Sequence, residues 1–124
     1  MNLIDSSAWL EYFNDDLNAA FFTDPIENTT QVIVPAICLY EVFKKFMQKD
    51  QKDAGLKAIS YMCRGRVVSL DPELALQAAK TSVELKLSMA DSIIYATARQ
   101  HNAIIWTQDI HFKNLPGVKY IGKK

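Results

Sequence analysis

Lysine and arginine are missing from the first 41 residues, although the chain contains 14 of them. This segment carries seven acids: Asp5, Glu11, Asp15, Asp16, Asp24, Glu27 and Glu41. Residues 42–124 carry the other seven acids and all 14 basic residues, so the two segments have formal charges of −7 and +7. Either both segments form solvated faces that pair across the fold, or an acidic pocket lies beside a basic surface. The second arrangement suits a metal-dependent enzyme that acts on a polyanion.

Long apolar runs are also absent. A membrane span needs roughly 20 apolar residues, and no segment of this sequence approaches that length. The N-terminus lacks the basic segment and the long apolar stretch of a secretory signal. We therefore expect a cytoplasmic protein without a membrane partner.

Cysteines are few, and linkers rich in proline or glycine are missing. Cys38 and Cys63 are the only cysteines and do not form a CxxC pair, so we expect buried thiols rather than a disulfide or a zinc site. Internal repeats and low-complexity segments are absent as well. A chain of 124 residues with 49% hydrophobic and 23% charged side chains suits one globular domain, residues 1–124.

Short apolar runs alternate with helical patterns along the chain. Five runs predict β-strands: Asn2–Ile4, Gln31–Val34, Val67–Leu70, Ala103–Thr107 and Val118–Ile121. The predicted helices are residues 6–13, residues 17–28 with a break near Pro25, residues 36–49, residues 53–63, a helix capped by Asp71 before Pro72, and Met89–His101. This alternation predicts an α/β sandwich, in which a mostly parallel five-stranded sheet has helices on both faces.

Four acids are predicted to meet at one edge of this sheet. Asp5 and Asp109 follow strands, and in parallel sheets ligands bind at the carboxyl ends of strands. Glu41 lies in the second turn of the helix after the second strand, and Asp91 in the first turn of the helix before the fourth. A helix that leads into a parallel strand runs antiparallel to it, so its first turn lies at the same edge.

Each of these acids also has a local structural explanation. Asp5 could cap the following helix, and Asp91 could belong to a capping box that begins at Ser88. Glu41 could pair with a lysine one turn later, and Asp109 could start a turn. Their convergence is harder to explain in this way, because four carboxylates at one edge repel each other where the dielectric constant is low. A bound cation would offset that repulsion.

A site made of carboxylates without histidine or cysteine suits a hard cation, Mg²⁺ or Mn²⁺, as one or two ions. Such ions bind phosphate oxygens, activate water and stabilise the leaving oxygen of an in-line displacement. The chemistry predicted for this site is therefore hydrolysis of a phosphodiester bond.

Four segments carry a resemblance to a known family: "LIDSSAWLEYF", "YEVFKKF", "LSMADSIIYATARQHNAIIWTQD" and the short C-terminal strand. They resemble the PIN domain, in particular the VapC toxins of bacterial toxin–antitoxin pairs. The resemblance covers essentially the whole chain, and "ADSIIYATA" and "TQDIHF" are its most specific parts. It implies a PIN-like three-layer sandwich, metal-dependent endoribonuclease activity on structured cellular RNA, and a VapB-like antitoxin that blocks the site.

The resemblance also implies which residues form the site. The catalytic, metal-binding acids, here called the acidic quartet, are Asp5, Glu41, Asp91 and Asp109. Thr107 matches a supporting hydroxyl of the family, and Ser6 a polar neighbour of the first acid. One position departs from the pattern, because His111 stands where many relatives have another acid. It could be an exposed loop residue, an RNA contact or an extra metal ligand, and we favour the first.

Other residues are candidates for binding RNA and partners. We expect four basic residues to hold the RNA backbone: Arg64, Arg66, Arg99 and Lys113. The first two helices and residues 40–46 contain eight aromatic residues, more large apolar groups than a small core needs: Trp9, Tyr12, Phe13, Phe21, Phe22, Tyr40, Phe43 and Phe46. We expect some of them to line an antitoxin groove and a homodimer contact. Trp9 and Trp106 are expected in the core or an interface rather than as stacking platforms for bases.

Two other functions remain open from the sequence. A receiver-like phosphoacceptor domain is also α/β, and would use Asp71 with Lys119 as its partner. It would leave Glu41 and Asp91 without a role, and a helix cap explains Asp71 better. A PIN-like module that binds RNA or protein without cleaving it is the second alternative.

Overall fold

The computed structural model describes all 124 residues and contains the five expected strands. They are β1 (Asn2–Ile4), β2 (Val32–Pro35), β3 (Arg66–Val68), β4 (Ile104–Thr107) and β5 (Val118–Tyr120). Every strand overlaps its predicted run, and Gln31 lies in a 3₁₀ turn (Thr29–Gln31) rather than in β2. The sequence therefore located each strand correctly, with small differences at the ends.

The strands form one sheet in the order β3-β2-β1-β4-β5, and all four pairings are parallel. The prediction of a mostly parallel sheet is confirmed, with no antiparallel strand. β1 is the central strand, and it pairs Leu3 with Ile33 of β2 and with Ile105 of β4. The carboxyl ends of β1, β2 and β4 are therefore neighbours.

Six helices connect the strands: α1 (Ser6–Phe13), α2 (Ala19–Glu27), α3 (Ala36–Gln48), α4 (Lys52–Met62), α5 (Pro72–Leu85) and α6 (Met89–Gln100). Every residue of β2 is buried. Because consecutive side chains of a strand point to opposite faces, both faces of the sheet are covered. This confirms the predicted α/β sandwich.

The predicted break near Pro25 is wrong, because α2 continues through this residue to Glu27. Proline inside a helix removes a hydrogen bond and crowds the preceding turn, at a cost of about 3 kcal/mol. Phe22 and Ile26 on the same helix are fully buried in the main core. Burying side chains of this size yields about 1.5–3 kcal/mol each, which is enough to keep the helix intact.

The cysteine prediction holds for one residue only. Cys38 is buried in α3, whereas Cys63 is exposed. Cys63 is the C-cap residue of α4, directly after the fully buried Met62, so the chain has already left the core there.

The cap of α5 is formed as predicted: the Asp71 carboxylate accepts a hydrogen bond of 2.8 Å from the backbone N–H of Leu74. With 14 residues α5 is the longest helix. None of the helices has the length together with the apolar surface that crossing a bilayer requires.

Candidate active site

The acidic quartet lines one open cavity of about 330 Å³ at the carboxyl edge of the sheet. Asp5 follows β1 and caps α1, and Asp109 lies two residues after β4. Glu41 lies in α3, which follows β2, and Asp91 lies in the first turn of α6. Ten more residues complete the lining: Ser6, Ser7, Leu10, Glu11, Asn14, Asp16, Lys45, Ile94, Gln108 and Lys123.

Asp5 is the buried member of the quartet, with 2% of its surface exposed, and both of its oxygens accept hydrogen bonds. Oδ1 accepts from the Ser7 hydroxyl at 2.7 Å and from the Ala8 backbone N–H at 3.0 Å. Oδ2 accepts from the Thr107 hydroxyl at 2.6 Å, and Thr107 is itself fully buried. The hydroxyl predicted to support the site therefore contacts the first acid directly.

The pKa values of Asp5 and Asp91 show that this arrangement makes their ionisation unfavourable. Burial raises the pKa of Asp5 to about 6, although the hydrogen bonds from Thr107, Ser7 and Ala8 oppose the shift, and the charge of Asp109 raises it further. The pKa of Asp91 is also raised, first by burial and then by repulsion from Asp109. Ionising these two acids in the folded protein is therefore unfavourable, mainly because of burial and further because of the neighbouring Asp109 charge, and a bound cation would stabilise their ionised forms.

The two serines after Asp5 have different roles. Ser6, expected beside the first acid, donates a hydrogen bond of 2.7 Å to Oε1 of Glu41. The contact to Asp5 comes from Ser7, which the sequence reasoning missed. The signal was present, because Asp5 is a helix N-cap and the residue two positions later lies in the first helical turn, within reach of the cap.

The local explanations of the acids are also correct in part. Asp5 caps α1, the Asp109 carboxylate accepts a hydrogen bond of 2.9 Å from the His111 N–H, and the Ser88 hydroxyl accepts from the Asp91 N–H at 3.4 Å. Glu41 forms no ion pair with a lysine. Capping therefore accounts for where some acids stand in the chain, but not for their meeting in one cavity.

Comparison with protein families decides the class of this fold. A sequence model described as the PIN domain matches residues 3–118. The chain belongs to the PIN domain family. No curated protein matches the sequence significantly.

Solved structures share the fold of this PIN domain at low sequence identity. A toxin–antitoxin complex from Klebsiella pneumoniae has a TM-score of 0.79 at 22% identity, with 96% of each chain covered. VapBC2 from Rickettsia felis, bound to a DNA fragment from its promoter, has a TM-score of 0.74 at 16% identity, with 98% of this chain and 97% of that chain covered. A VapC toxin from Mycobacterium tuberculosis that cleaves the sarcin–ricin loop has a TM-score of 0.69 at 18% identity, with 83% and 85% covered.

His111 of this PIN domain is exposed, but its ring faces the site. Its side chain is 69% exposed, and its Nδ1 lies 3.3 Å from Oδ2 of Asp91 and 3.2 Å from Oδ1 of Asp109. The expectation of an exposed loop residue is correct for its solvent exposure. It misses the contact with two acids, which depends on the 3₁₀ turn Ile110–Phe112 folding back over α6.

None of the four predicted RNA-binding cations lines the cavity. Arg64 lies in the turn before β3, Arg66 is the first residue of β3, and Arg99 lies in the last turn of α6. All three therefore lie at the edge of the sheet opposite the quartet. The Lys113 ammonium lies 5.7 Å from the centre of the Tyr120 ring.

The basic residues that do line the cavity are Lys45 and Lys123. Lys45 could have been found from the sequence, because it lies four residues after Glu41 and therefore on the same face of α3. No local pattern indicates Lys123.

A buried polar network joins the site to the C-terminal segment. The Gln108 amide donates to Glu11 at 2.9 Å, and the backbone N–H of Asn18 donates to the same carboxylate at 2.8 Å. The Asn18 amide donates to Oε1 of Gln108 at 2.9 Å and to the Gly122 carbonyl at 3.0 Å. This network holds the segment that precedes Lys123 against the cavity.

The structure gives no support to the receiver alternative. Asp71 caps α5 and is not among the residues that line the cavity. The ammonium of Lys119 lies 4.8 Å from the centre of the Trp106 ring. Together with the match to the PIN family model, these contacts overturn the phosphoacceptor hypothesis.

Proposed function

We propose that this PIN domain is a divalent-metal-dependent endoribonuclease, and that it is the toxin of a VapBC-type toxin–antitoxin pair. The convergence of the acidic quartet on one open cavity carries the proposal. The fold that it shares with structures of VapC toxins and VapBC complexes supports it.

The residues of the quartet fit Mg²⁺ or Mn²⁺, because all four offer carboxylate oxygens and two of them have pKa values raised by burial and by repulsion from a neighbouring acid. Asp91 and Asp109 would bind one or two ions directly. Asp5 would contribute through Oδ2, because Oδ1 already accepts two hydrogen bonds and Oδ2 only one. The bound metal supplies Lewis-acid activation of water and phosphate.

The protein supplies orientation and charge. Oε1 of Glu41 accepts a hydrogen bond from the Ser6 hydroxyl. Oε2 would therefore accept a hydrogen bond from the attacking water and orient it. Lys45 and Lys123 line the same cavity, where their ammonium groups would bind the phosphates next to the scissile bond. Thr107 holds Asp5 in a single orientation, so the carboxylate is already in place when RNA binds.

The four cations predicted from the sequence take a lesser role in this proposal. Arg64, Arg66 and Arg99 lie too far from the quartet to hold the cleaved phosphate, but a long or structured RNA can extend to that edge of the domain. Lys113, just after the 3₁₀ turn, would contact RNA outside the cavity.

We assign the antitoxin to an apolar surface on α3 and α4, lined by Leu39, Tyr40, Phe43, Leu56 and Ile59. A neighbouring cavity of about 330 Å³ between α1, α3 and α4 is lined by Tyr12, Phe13, Phe46 and Tyr61 among others. Both surfaces suit an amphipathic helix of a VapB-like partner, and a homodimer contact is proposed for the same region. Trp9 and Phe22, expected as candidates for this groove, are instead fully or almost fully buried core residues.

The test is cleavage of structured RNA by the purified chain. Cleavage is expected with Mg²⁺ or Mn²⁺ and should stop in chelator. Asp91→Asn should abolish it while the protein stays folded. A folded wild-type chain that binds RNA and leaves it intact with either ion would establish the non-cleaving module instead.

A further inference from the structure

We propose that His111 is a metal ligand of the acidic site, and that its imidazole makes the site prefer Mn²⁺ and the later divalent transition metals over Mg²⁺. The inference rests on the proposed function, because it requires a divalent ion at the acidic quartet.

The distances around His111 fit three ligands of one ion. Nδ1 lies 3.3 Å from Oδ2 of Asp91 and 3.2 Å from Oδ1 of Asp109. Neighbouring ligands of an octahedral ion with bonds of roughly 2.2 Å lie roughly 3.1 Å apart. One ligand atom from each of the three residues lies within 4.8 Å of the other two. An ion can therefore contact all three residues with only small side-chain adjustments.

The backbone holds His111 in this position. Its N–H donates a hydrogen bond of 2.9 Å to Oδ1 of Asp109, and the N–H of Asp109 donates one of 2.9 Å to the Thr107 hydroxyl. The next residue, Phe112, is fully buried, and its N–H bonds to the Asp109 carbonyl at 3.1 Å. The 3₁₀ turn is thus fixed on both sides of His111, and such preorganisation is what a ligand position requires.

The same distances would also fit a protonated imidazole that simply pairs with two carboxylates. The two explanations differ in what happens when an ion binds. An ion-pairing histidine is displaced by the metal, because both are cations. A ligand histidine instead turns its Nδ1 lone pair to the metal and keeps its proton on Nε2. The side chain is 69% exposed, so it has room to make this adjustment.

The preference among metals follows from ligand chemistry. Mg²⁺ binds oxygen ligands in near-ideal octahedral geometry and gives up its waters reluctantly. Imidazole suits transition metals, whose affinity for a given site rises from Mn²⁺ through Co²⁺ to Ni²⁺. An imidazole that joins Asp91 and Asp109 therefore favours these ions over Mg²⁺.

The chain allows a clean spectroscopic test, because it contains only two histidines. The Mn²⁺-loaded full chain should show the ¹⁴N coupling of a directly bound imidazole in pulsed electron paramagnetic resonance. His111→Gln should lose this coupling. His101→Gln is the matched control and should retain it, because His101 caps the far end of α6, with its Nδ1 3.1 Å from the Thr97 carbonyl.

Calorimetry of the same proteins tests the preference. His111→Asp replaces the imidazole by an oxygen ligand, so the ratio of Mn²⁺ to Mg²⁺ affinity should fall by about tenfold or more, a scale known from partners of metal ligands. Folding of each variant is checked by its thermal unfolding. Tight Mn²⁺ binding without ¹⁴N coupling, or with a ratio unchanged in His111→Asp, would overturn the inference and leave the proposed function standing. A wild-type chain that binds neither ion would overturn both.

Discussion

Replacing Asp5 by asparagine should stabilise the metal-free protein at neutral pH, although Asp5 caps a helix and accepts three hydrogen bonds. The reason is its charge. Burial raises the pKa of Asp5 from 3.8 to about 6, so the folded state holds the ionised form at a disadvantage. A shift of this size corresponds to about 3 kcal/mol of destabilisation at pH 7.

Asparagine removes the charge and keeps most of the geometry. Its carbonyl oxygen can accept from Ala8, since asparagine caps helices about as well as aspartate. Its amide must face the Ser7 or the Thr107 hydroxyl, and a mismatch of one buried hydrogen bond costs about 1–2 kcal/mol. The net expectation for Asp5→Asn in chelator at pH 7 is therefore a gain of about 1–2 kcal/mol in the free energy of unfolding.

The pH dependence of the stability difference tests the sign of this prediction. Asp5 binds its proton more tightly in the folded state, so between pH 4 and pH 6 the folded chain binds more protons than the unfolded chain. The contribution of Asp5 to stability consequently falls as pH rises through this window, and the destabilisation is complete only above the folded pKa. Near pH 4 the charge penalty of Asp5 falls to about 0.5 kcal/mol, which is less than the cost of the mismatched hydrogen bond. Asp5→Asn should therefore be more stable than the parent at pH 7 and less stable than the parent near pH 4.

Chemical denaturation in chelator at both pH values measures the effect. Asp71→Asn is the control, because this acid only caps α5, and it should change stability by a few tenths of a kcal/mol at both pH values. The reasoning is refuted if Asp5→Asn is less stable than the parent at pH 7, or if the difference between them does not change with pH. Added Mn²⁺ should then stabilise the parent more than the variant, in proportion to affinity.

Three further substitutions test the surroundings of the quartet. Lys45→Gln and Lys123→Gln should each lower the salt dependence of RNA binding by about 0.7 in the logarithmic slope, measured by fluorescence anisotropy. Arg66→Gln should leave cleavage of a short RNA, which does not reach the opposite edge of the domain, unchanged. Gln108→Ala should lower the free energy of unfolding by about 1–3 kcal/mol, because it leaves buried polar groups without a hydrogen-bond partner. Amide hydrogen exchange in the C-terminal segment should become faster. Ser7→Ala removes a hydrogen bond that lowers the pKa of its buried carboxylate partner, so the acid limb of the cleavage pH profile should move to higher pH.

The sequence predicted the sheet and the meeting of the acids because both follow from local rules. Apolar runs of three to five residues indicated the strands, and an aspartate before Pro72 indicated the start of α5. Parallel pairing then placed Asp5 and Asp109 at the same edge, although they are far apart in the chain. No contact between side chains was needed for this inference.

What the sequence could not predict depends on contacts between distant residues. The ring of His111 faces Asp91 because the 3₁₀ turn after β4 lies over the start of α6. Lys123 reaches the cavity because Asn18 holds the Gly122 carbonyl, a contact across 104 residues. Helix α2 continues past Pro25 because the side chains around it are buried. In each case tertiary packing decides the outcome, and no local preference indicates it.

The fold itself provides part of the compensation that the acids need. In a parallel α/β sheet the helices that follow or precede the strands present their N-termini at the carboxyl edge, and here the first turns of α1 and α6 lie beside Asp5 and Asp91. A helix N-terminus stabilises a nearby negative charge by about 0.3–1 kcal/mol. Two such helices recover less than the roughly 3 kcal/mol that the ionised Asp5 alone costs. Most of this cost comes from burial of the Asp5 carboxylate. A cation bound beside the carboxylate would offset the cost, because it stabilises the ionised form that burial disfavours.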